Sequence, residues 1–473
     1  MKKLFSLLLI LGISISIKAQ TITSLSTVSN DKLTATGHVG FCCKEISSGR
    51  SIGSLNSQKT LTPASITKLI TTSCALELLG SDYSFKTWID CDTLPDSLGV
   101  LNGNIYLHGE GDPTLASNYF KETLNFAQVW SKAIKEKGIK QINGHIIAEI
   151  GNFDTEYISP LWLVEDIGTY YGTGTYPLSC YDNTSNITLK SSENEIFITD
   201  IYPENSNPDL EINAKIVSSG KNNLYVRGNP ATVNTRFIEG TILPNTESLL
   251  MKGDINNPPL LLTNILKKQL ILDSVEVLGD TRVELNIPKK RINLFTYQSP
   301  QLKEIIRNIN VYSNNVSAEH LMKRIALQND SIATTLNGIK TVFEYWKSVG
   351  INTEGQYQYD GSGLTPKNAL SPEFMVDILC YMQNKSQYAD DFYNSLPTVG
   401  KDGTVSTVLK NCSARSSFKM KSGSFRNVLC YAGYFTKNNK KYAFCIMMNN
   451  FNGTRWQALK YIETVLTEVY NKA

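Results

Sequence analysis

A serine followed three residues later by a lysine is the pattern in this sequence that most clearly indicates catalytic chemistry. It occurs at Ser65–Lys68, Ser218–Lys221 and Ser416–Lys419. On a helix, positions i and i+3 lie on one face, so the lysine amine can reach the serine hydroxyl. A lysine that is desolvated near other cations has a lowered pKa and can accept the serine proton, which activates the hydroxyl for attack on an acyl group.

Of the three pairs, we predict that only Ser65–Lys68 begins a helix. The apolar residues that follow on one helical face are Ile66, Leu69, Ile70, Cys74 and Leu78. Gly80 ends the pattern, and the positive end of the helix places backbone N–H groups near Ser65. Ser218 falls in a Ser-Ser-Gly turn, and Ser416–Lys419 in a predicted strand, where the two side chains face opposite ways. The alternative for Ser65 is a serine that only caps the helix, which Pro63-Ala64-Ser65 also suits.

Two further segments carry groups that an acyl-transfer site needs. Tyr312-Ser313-Asn314-Asn315 lies between two predicted helices and can present a hydroxyl and an amide to a cleft. Lys421-Ser422-Gly423 ends a predicted strand and offers an ammonium, a hydroxyl and a close approach for substrate. A helix cap at 313–317 and an edge-strand lysine are the alternatives. S-x-N also recurs at 54–56 and 192–194, so the information lies in the order and context of the motifs.

Other motifs favour plain turns. Gly49-Arg-Ser51-Ile-Gly53 matches G-x-S-x-G, but that elbow must join a strand to a helix. Here it lies between two predicted strands, so we interpret it as a hairpin turn. Asp360-Gly-Ser-Gly and Lys401-Asp402-Gly are also typical of turns when taken alone.

The predicted elements suggest one sheet built from both ends of the chain. Strands are expected at 36–46 and just after it, then at 415–421, 428–437 and 441–449, with Asn438-Asn439 as a hairpin turn. Predicted helices cover 121–137, 258–272, 299–310, 317–328, 332–348, 371–384 and 454–471. Residues 85–175 mix short strands with one helix, and 183–257 are rich in Asn, Ser and Thr like a small all-β unit. The middle of the chain is therefore expected to be inserted as separate modules.

Composition excludes several classes of function. The 473 residues contain 46 Lys and Arg against 43 Asp and Glu, with only four His. Without Lys2, Lys3 and Lys18 the two charge types are equal in number. A neutral chain without a basic run gives no support to nucleic-acid binding. The sequence holds no P-loop, GxGxxG or HExxH motif, so phosphate-cradling and His-rich zinc chemistry are not indicated.

The N-terminus resembles an export signal. Lys2 and Lys3 precede an apolar core at 4–17 that is too short to span a bilayer, and cleavage is expected after Ala19. The mature protein is thus expected to be exported, soluble and at most loosely associated with a membrane. Nine cysteines allow disulfides in such a compartment, but the number is odd and the pairing stays open. We expect Cys74, Cys430 and Cys445 to be buried free thiols because they lie in apolar runs.

Taken together, S-x-x-K, S-x-N and K-S-G resemble the signature of the penicillin-recognising serine enzymes. The wide spacing between Lys68 and Ser313 resembles the motif spacing of one branch, the class C low-molecular-mass penicillin-binding proteins. These are D-alanyl-D-alanine carboxypeptidase/endopeptidases. Three longer segments also resemble motifs of that family: 109–115 (GEGDPTL), 360–364 (DGSGL) and 396–404 (LPTVGKDGT). The resemblance covers essentially the whole mature chain. Departures are small: Ser422 stands where threonine is frequent, and Glu110 and Val399 replace smaller residues.

The resemblance implies an α/β (α+β) fold. Its transpeptidase-like domain would be an antiparallel sheet flanked by helices, formed by residues 20–82 plus 289–473. Two smaller inserted domains rich in β-structure would follow the family pattern, the first at 83–179 plus 256–288 and the second at 180–255. Residues 1–19 would be the signal peptide of a protein of the bacterial periplasm.

The resemblance also implies a role for each motif residue. Ser65 would be the nucleophile and Lys68 its base, with Ser313, Asn315 and Lys421 as the catalytic network around them. Substrate would be bound by Ser422, Gly423 and Ser424, and the N–H groups of Ser65 and Ser424 would form the oxyanion hole. Ser362 and Asp402 would line the cleft as supporting residues. No metal or cofactor is implied, and the implied ligands are peptidoglycan stem peptides and, as covalent inhibitors, β-lactams.

Several alternatives stay open at the level of sequence. A β-lactamase would share the motifs but needs fast deacylation, which the long insertions do not favour. A transpeptidase would differ only in its acceptor, and a catalytically silent peptidoglycan-binding protein would use the same cleft. Carboxypeptidase against endopeptidase preference and the oligomeric state are not decided by these motifs.

Overall fold

A computed structural model describes residues 22–26, 31–206, 209–229, 232–286, 288 and 290–473. The expected signal peptide at 1–19 lies outside these residues. Among the described helices, none combines the length and the apolar character that crossing a bilayer requires.

The helices that position the candidate site are separated by short strands and loops. The α-helices are α1 (Thr23–Ser26), α2 (Lys68–Leu79), α3 (Phe126–Glu136), α4 (Pro258–Leu272), α5 (Leu302–Tyr312), α6 (Asn315–Ala326), α7 (Thr335–Ser348), α8 (Pro372–Asn384), α9 (Ala389–Ser395) and α10 (Arg455–Lys472). Short 3₁₀ turns add to them, and the one at Ala64–Thr67 runs directly into α2.

The strands of the described residues form five sheets. They are β1 (His38–Glu45), β2 (Ser51–Leu55), β3 (Lys86–Cys91), β4 (Val100–Leu101), β5 (Ile105–Gly109), β6 (Gln141–Ile142), β7 (Ile146–Glu149), β8 (Thr184–Ser191), β9 (Ile196–Tyr202), β10 (Leu210–Ile212), β11 (Lys215–Ile216), β12 (Asn223–Asn229), β13 (Thr232–Ile242), β14 (Leu249–Asp254), β15 (Glu276–Val277), β16 (Thr281–Glu284), β17 (Ile292–Gln298), β18 (Phe418–Phe425), β19 (Val428–Lys437) and β20 (Lys440–Asn449).

The main sheet joins the two ends of the chain, as predicted. Its order is β18-β19-β20-β1-β2 and every pairing is antiparallel. Because side chains alternate across a strand, each strand serves two cores. One core packs α10 on the sheet, and the other packs α2 together with α5–α9 on the opposite face. In β18 this alternation sends Phe418 and Met420 towards α10, and it places Lys421 on the face of α2.

The middle of the chain builds further layers with their own cores. A mixed sheet, β16-β7-β5-β3-β17, and a small parallel sheet, β15-β6-β4, pack with α3 and α4. The described residues of 184–254 contain strands and turns but no helix, and the strands form the sheets β14-β8-β9 and β10-β13-β11, with β12 paired to β13. We call residues 181–254 the small β unit. A buried ion pair between Arg236 and Asp254 lies inside it, with N–O distances of 2.7 and 2.8 Å.

Several predicted elements have different starts. Three predicted helices begin at least three residues later than expected: α5 starts at Leu302, α7 at Thr335 and α3 at Phe126. The predicted strand at 415 starts at Phe418, since 415–417 form a 3₁₀ turn. Helix 258–272, the all-β texture of 183–257 and the Asn438-Asn439 hairpin turn are confirmed.

The amphipathic character predicted for α2 is wrong. Residues 68–76 are all buried, since α5, α6, α7 and α8 surround the helix. Its polar side chains bond to nearby backbone carbonyls: Thr72 Oγ1 donates to Lys68 O at 2.7 Å, and Ser73 Oγ donates to Leu69 O at 2.6 Å. Such local hydrogen bonds let threonine and serine enter a core. A helix buried on all sides rigidly holds the residues at its start, and these include the candidate catalytic pair Ser65 and Lys68.

The cysteines are unpaired in the structure. All nine are free thiols, and Cys74, Cys430 and Cys445 are fully buried, as expected. Burial raises the pKa of the Cys430 thiol to about 12, so it stays protonated and unreactive at neutral pH.

Candidate active site

Ser65 and Lys68 are positioned by the 3₁₀ turn that precedes α2. In a 3₁₀ turn the side chains at i and i+3 are nearly eclipsed, so the lysine lies directly over the serine. Lys68 Nζ donates to Ser65 Oγ at 3.1 Å. No side chain caps this turn, so the alternative of Ser65 as a helix cap is wrong. Ser65 is half-buried, whereas Lys68 is fully buried.

Burial changes the protonation of Lys68. Its pKa is lowered to about 7, mainly because desolvation disfavours the ammonium, while the nearby carboxyls of Asp360 and Glu319 oppose this shift. The amine also donates to Asn315 Oδ1 and to the Ser362 carbonyl, both at 2.6 Å. A lysine with this pKa is substantially neutral near pH 7, and it can then accept a proton from the hydroxyl beside it.

The loop between α5 and α6 supplies the second motif. Ser313 ends α5 with a φ of 62°, and Asn314 caps α6 by accepting from Ser317 N at 3.1 Å. This sharp reversal places Ser313 and Asn315 side by side. Asn315 is tied on two sides, because its Oδ1 accepts from Lys68 and its Nδ2 donates to Tyr171 O at 2.9 Å.

Strand β18 closes the site from the other side. Lys421 Nζ donates to Ser313 Oγ and to Ser422 O, both at 2.8 Å. Its pKa is lowered well below the ordinary lysine value, first by burial and then by the positive charge of Lys68. A Cβ on Gly423 would lie 2.6 Å from Pro63 O and 2.9 Å from Ser65 N, so only glycine lets the strand approach this closely. Ser424 follows and is exposed.

The loop at 396–405 runs along the edge of β18. Asp402 closes its own turn, accepting from Thr398 N at 3.1 Å, and no bond links it directly to the lysines of the site. The same turn brings Thr404 into contact with the third motif, where Ser422 Oγ donates to Thr404 Oγ1 at 2.7 Å. Asp402 therefore shapes the loop from which Thr404 reaches the site.

Sequence reasoning missed the group that holds the loop under Lys68. Ser362 contributes its backbone carbonyl to Lys68, and that loop is fixed by Glu319 of α6, which accepts from Gly361 N at 2.9 Å and Ser362 N at 2.8 Å. Glu319 is fully buried, and its pKa is raised to about 7 by burial and by neighbouring Asp360. Its position four residues after Asn315 on the same helix was the available signal.

Asp360 organises the same loop from within. Its carboxylate accepts from Gly363 N at 2.8 Å, Thr365 N at 2.7 Å and Trp162 Nε1 at 3.1 Å. The 360–364 segment is thus a turn, and its backbone is built into the site. By contrast, Asp112 of the 109–115 motif bonds with its own neighbour Thr114 and takes no part in this network.

The other two Ser–Lys pairs are separate from this network. Ser218 lies in an exposed bend, and exposed Ser416 is in a 3₁₀ turn while Lys419 is already in β18. Lys419 Nζ donates instead to Asn394 Oδ1 at 3.2 Å. Only the first pair is hydrogen-bonded to the other motifs. That arrangement gives a hydroxyl, a buried amine able to act as its base, and a second amine next to another hydroxyl, which is what acyl transfer through serine needs.

Comparison with known proteins finds matches along almost the whole chain. The family model described as D-Ala-D-Ala carboxypeptidase 3 (S13) matches residues 22–469. A D-alanyl-D-alanine carboxypeptidase of Actinomadura sp. is 26% identical over 88% of this chain and 78% of its own length. D-alanyl-D-alanine carboxypeptidase DacB of Haemophilus influenzae is 23% identical over 96% and 94%.

A solved structure has the same fold. Penicillin binding protein 4 (dacB) from Haemophilus influenzae aligns with a TM-score of 0.80 at 20% identity, covering 95% of this chain and 98% of that one. A second structure of that protein is a complex with a β-lactam. This likeness places the main sheet, its helices and the inserted layers in one known fold, that of the penicillin-recognising serine hydrolases.

Proposed function

This chain belongs to the D-Ala-D-Ala carboxypeptidase 3 (S13) family, and from that premise we propose that Ser65 carries its hydrolase reaction through an acyl-enzyme. The chain is a serine-type D-Ala-D-Ala carboxypeptidase, so its substrates are peptidoglycan stem peptides. The observation that supports Ser65 is its contact at 3.1 Å with a buried lysine whose pKa is about 7.

In the proposed acylation step, neutral Lys68 takes the Ser65 proton as Oγ attacks the carbonyl of the penultimate D-Ala. The backbone N–H groups of Ser65 and Ser424 stabilise the oxyanion. The nitrogen of the terminal D-Ala takes a proton from Ser313 as it leaves. Lys421 then donates a proton to Ser313 through the 2.8 Å contact. Water then attacks the acyl-enzyme and gives up a proton to Lys421 by way of Ser313, while Lys68 returns its proton to Ser65 Oγ. The shortened peptide leaves with a new carboxyl group, which ionises in solvent.

Binding of the substrate is assigned to the groups around this centre. Asn315 hydrogen-bonds the peptide backbone. Its contacts with Lys68 and Tyr171 fix the orientation of the amide, which still has a second N–H and a second lone pair for the substrate. Ser422, with Thr404 beside it, binds the terminal carboxylate. Gly423 keeps the strand close to Ser65. Ser362 and Asp402 act through the loops that they shape.

β-Lactams would acylate the same serine. Their ring carbonyl takes the place of the D-Ala carbonyl, and the leaving nitrogen stays attached to the acyl group, which keeps water from completing the reaction. The complex of the Haemophilus influenzae protein with a β-lactam is consistent with this proposal.

We further propose where the protein works and how the chain is divided. The leader at 1–19 would direct it to the periplasm, the compartment that contains peptidoglycan in a bacterium with two membranes. The catalytic domain would comprise 20–82 and 289–473, with inserted domains at 83–179 plus 256–288 and at 180–255. N-terminal sequencing of protein exported by living cells should begin at Gln20.

The experiment that tests the nucleophile is intact-mass analysis after incubation with a penicillin. We expect one adduct on the wild-type protein and none on Ser65→Ala. Ser416→Ala is the matched control, because it removes the serine of another S-x-x-K motif at an exposed position, and it should be labelled like the wild type.

Two results would contradict the proposal. Labelling of Ser65→Ala would assign the nucleophile elsewhere. A wild-type protein that stays unmodified while the penicillin also stays intact would exclude an acyl-enzyme with penicillin, whereas loss of the penicillin without an adduct would identify a β-lactamase.

A further inference from the structure

A pocket of about 170 Å³ opens beside the catalytic loop. Ser313 and Asn315 form part of its lining, so it is continuous with the proposed site. The rest of the lining comes from segments 118–119 and 170–171 and from the small β unit, which contributes Tyr202 and Lys252 among others. The proposed reaction at Ser65 uses these outer walls only through Tyr171 O, which holds the Asn315 amide.

Exposed tyrosines are concentrated at this pocket. Five of its lining side chains are tyrosines between 37% and 55% exposed: Tyr119, Tyr170, Tyr171, Tyr202 and Tyr312. Two of them contact each other, since the Tyr119 and Tyr312 ring centroids are 4.8 Å apart with the rings tilted by 33°. Exposed aromatic side chains that cluster in a concave surface mark a binding site, because tyrosine offers contact area at low entropic cost.

The polar part of the lining is neutral overall and rich in amides. Its carboxamides are Asn118 and Asn186, together with Asn314 and Asn315, which are already partly engaged because Asn314 caps α6 and Asn315 bonds to Lys68 and Tyr171. The charged lining residues are one acid, Asp182, and one base, Lys252. Asp182 is held within the protein, because Ser117 Oγ donates to its carboxylate at 2.7 Å. The pocket therefore suits a neutral ligand with apolar faces and a hydrogen-bonding edge.

We propose that this tyrosine pocket is a subsite for an N-acetylated amino sugar, the glycan end of the peptidoglycan fragment whose stem peptide lies at Ser65. A pyranose ring presents C–H bonds on its faces, which pack on tyrosine rings, and its hydroxyl and N-acetyl groups match the surrounding amides. The inference rests on the proposed function, and it gives the small β unit a task in substrate selection.

The position of the pocket agrees with this ligand. A stem of four residues extends at most about 14 Å. A sugar on such a stem can reach the tyrosine pocket, because Ser313 and Asn315 line both the pocket and the proposed site.

The test compares two substrates that differ only in the sugar. One is a free stem peptide ending in D-Ala-D-Ala, and the other is the same peptide attached to the disaccharide of peptidoglycan. We expect the wild-type protein to favour the second substrate through a lower KM. Tyr202→Ala should reduce this preference about five- to thirtyfold, the range for truncating one well-packed tyrosine at a binding surface.

Variants on the same unit separate binding from folding. Tyr202→Phe keeps the ring and should keep most of the preference, and Asn186→Ala probes the amide edge with a smaller structural change. Tyr225→Ala is the matched control, since Tyr225 is an exposed tyrosine of the small β unit outside the pocket, and it should behave like the wild type. Each preference is a ratio measured on one protein, so a general loss of activity cancels.

Equal kcat/KM for the two substrates in the wild-type protein would overturn the inference, as would a preference that survives both Tyr202→Ala and Asn186→Ala. Cleavage of neither substrate together with no penicillin adduct would overturn the proposed function instead, and the sugar subsite with it. A penicillin adduct with peptide cleavage but no sugar preference leaves the proposed function standing and rejects only the subsite.

Discussion

The protonation of Lys68 provides the most demanding test of the reasoning. The base must be neutral to accept the Ser65 proton, and burial lowers its pKa to about 7 against the opposing charges of Glu319 and Asp360. The pKa of the neighbouring Lys421 is itself lowered well below its usual range, by burial and by the charge of Lys68. We therefore expect acylation by a β-lactam to rise with pH and to level off above about 7.5, once most of the amine is neutral.

Glu319→Gln should move the rising limb of this pH–rate profile to lower pH. The substitution removes a negative charge that stabilises the ammonium, so the pKa of Lys68 falls. A nearby opposite charge is worth about 1–3 pKa units. Glu319 itself has a pKa raised to about 7 and carries its charge only part of the time there, so we expect a shift of about one unit. The gain is largest near pH 7, where Glu319 is about half ionised: the neutral fraction of the amine would rise from about a half to at most about nine tenths, a gain of up to about twofold relative to the plateau rate.

The assay is the second-order rate of β-lactam acylation across the pH range, read by intact mass. Because glutamine also loses one of the two backbone hydrogen bonds that Glu319 accepts, the plateau rate can fall, and only the position of the limb is informative. Thr71→Val is the matched control: it removes a 2.7 Å hydrogen bond to Gly361 O in the same loop without changing charge, so the limb should stay. An unmoved limb in Glu319→Gln, or one moved to higher pH, would refute the electrostatic argument.

Three further predictions address other parts of the structure. Lys68→Ala should lower the acylation rate about 10³-fold, the effect of losing a positioned base, and an unchanged rate and pH profile would assign the base elsewhere. Gly423→Ala puts a methyl group 2.9 Å from Ser65 N, so the strand must move and acylation should fall at least tenfold while the melting temperature changes little; full activity would show that the strand can yield without cost. Asp254→Ala removes the carboxylate from the buried ion pair with Arg236, whose side chains are 1% and 3% exposed, and should cost about 3–5 kcal/mol of unfolding free energy in urea; a loss below about 1 kcal/mol would mean that water replaces the pair.

Local patterns made much of this site predictable. The order of Ser65-x-x-Lys68, Ser313-x-Asn315 and Lys421-Ser422-Gly423 was visible because each motif sits at a helix start, a loop or a strand, and periodicity predicts such elements. The structure joins these motifs by hydrogen bonds of 2.6–3.1 Å. The catalytic roles themselves stay predictions until the variants are measured.

Other features depend on contacts that no local pattern contains. The apolar residues of α2 were expected on one face, yet residues 68–76 are buried on all sides because helices distant in sequence surround them. Glu319 looked like an ordinary helix residue, and its importance comes from the two N–H groups of a loop more than forty residues away. The tyrosine pocket likewise collects side chains from separate segments of the chain.

The sequence by itself determined which residues could do chemistry and which elements carry them, because a motif and a periodicity are properties of neighbouring residues. Only the tertiary structure decided how those groups behave. The pKa of Lys68 depends on complete burial and on two carboxyls from α6 and the 360–364 loop, and desolvation is a property of everything packed around an atom. The same holds for the tyrosine pocket, whose lining exists only where the small β unit meets the catalytic loop.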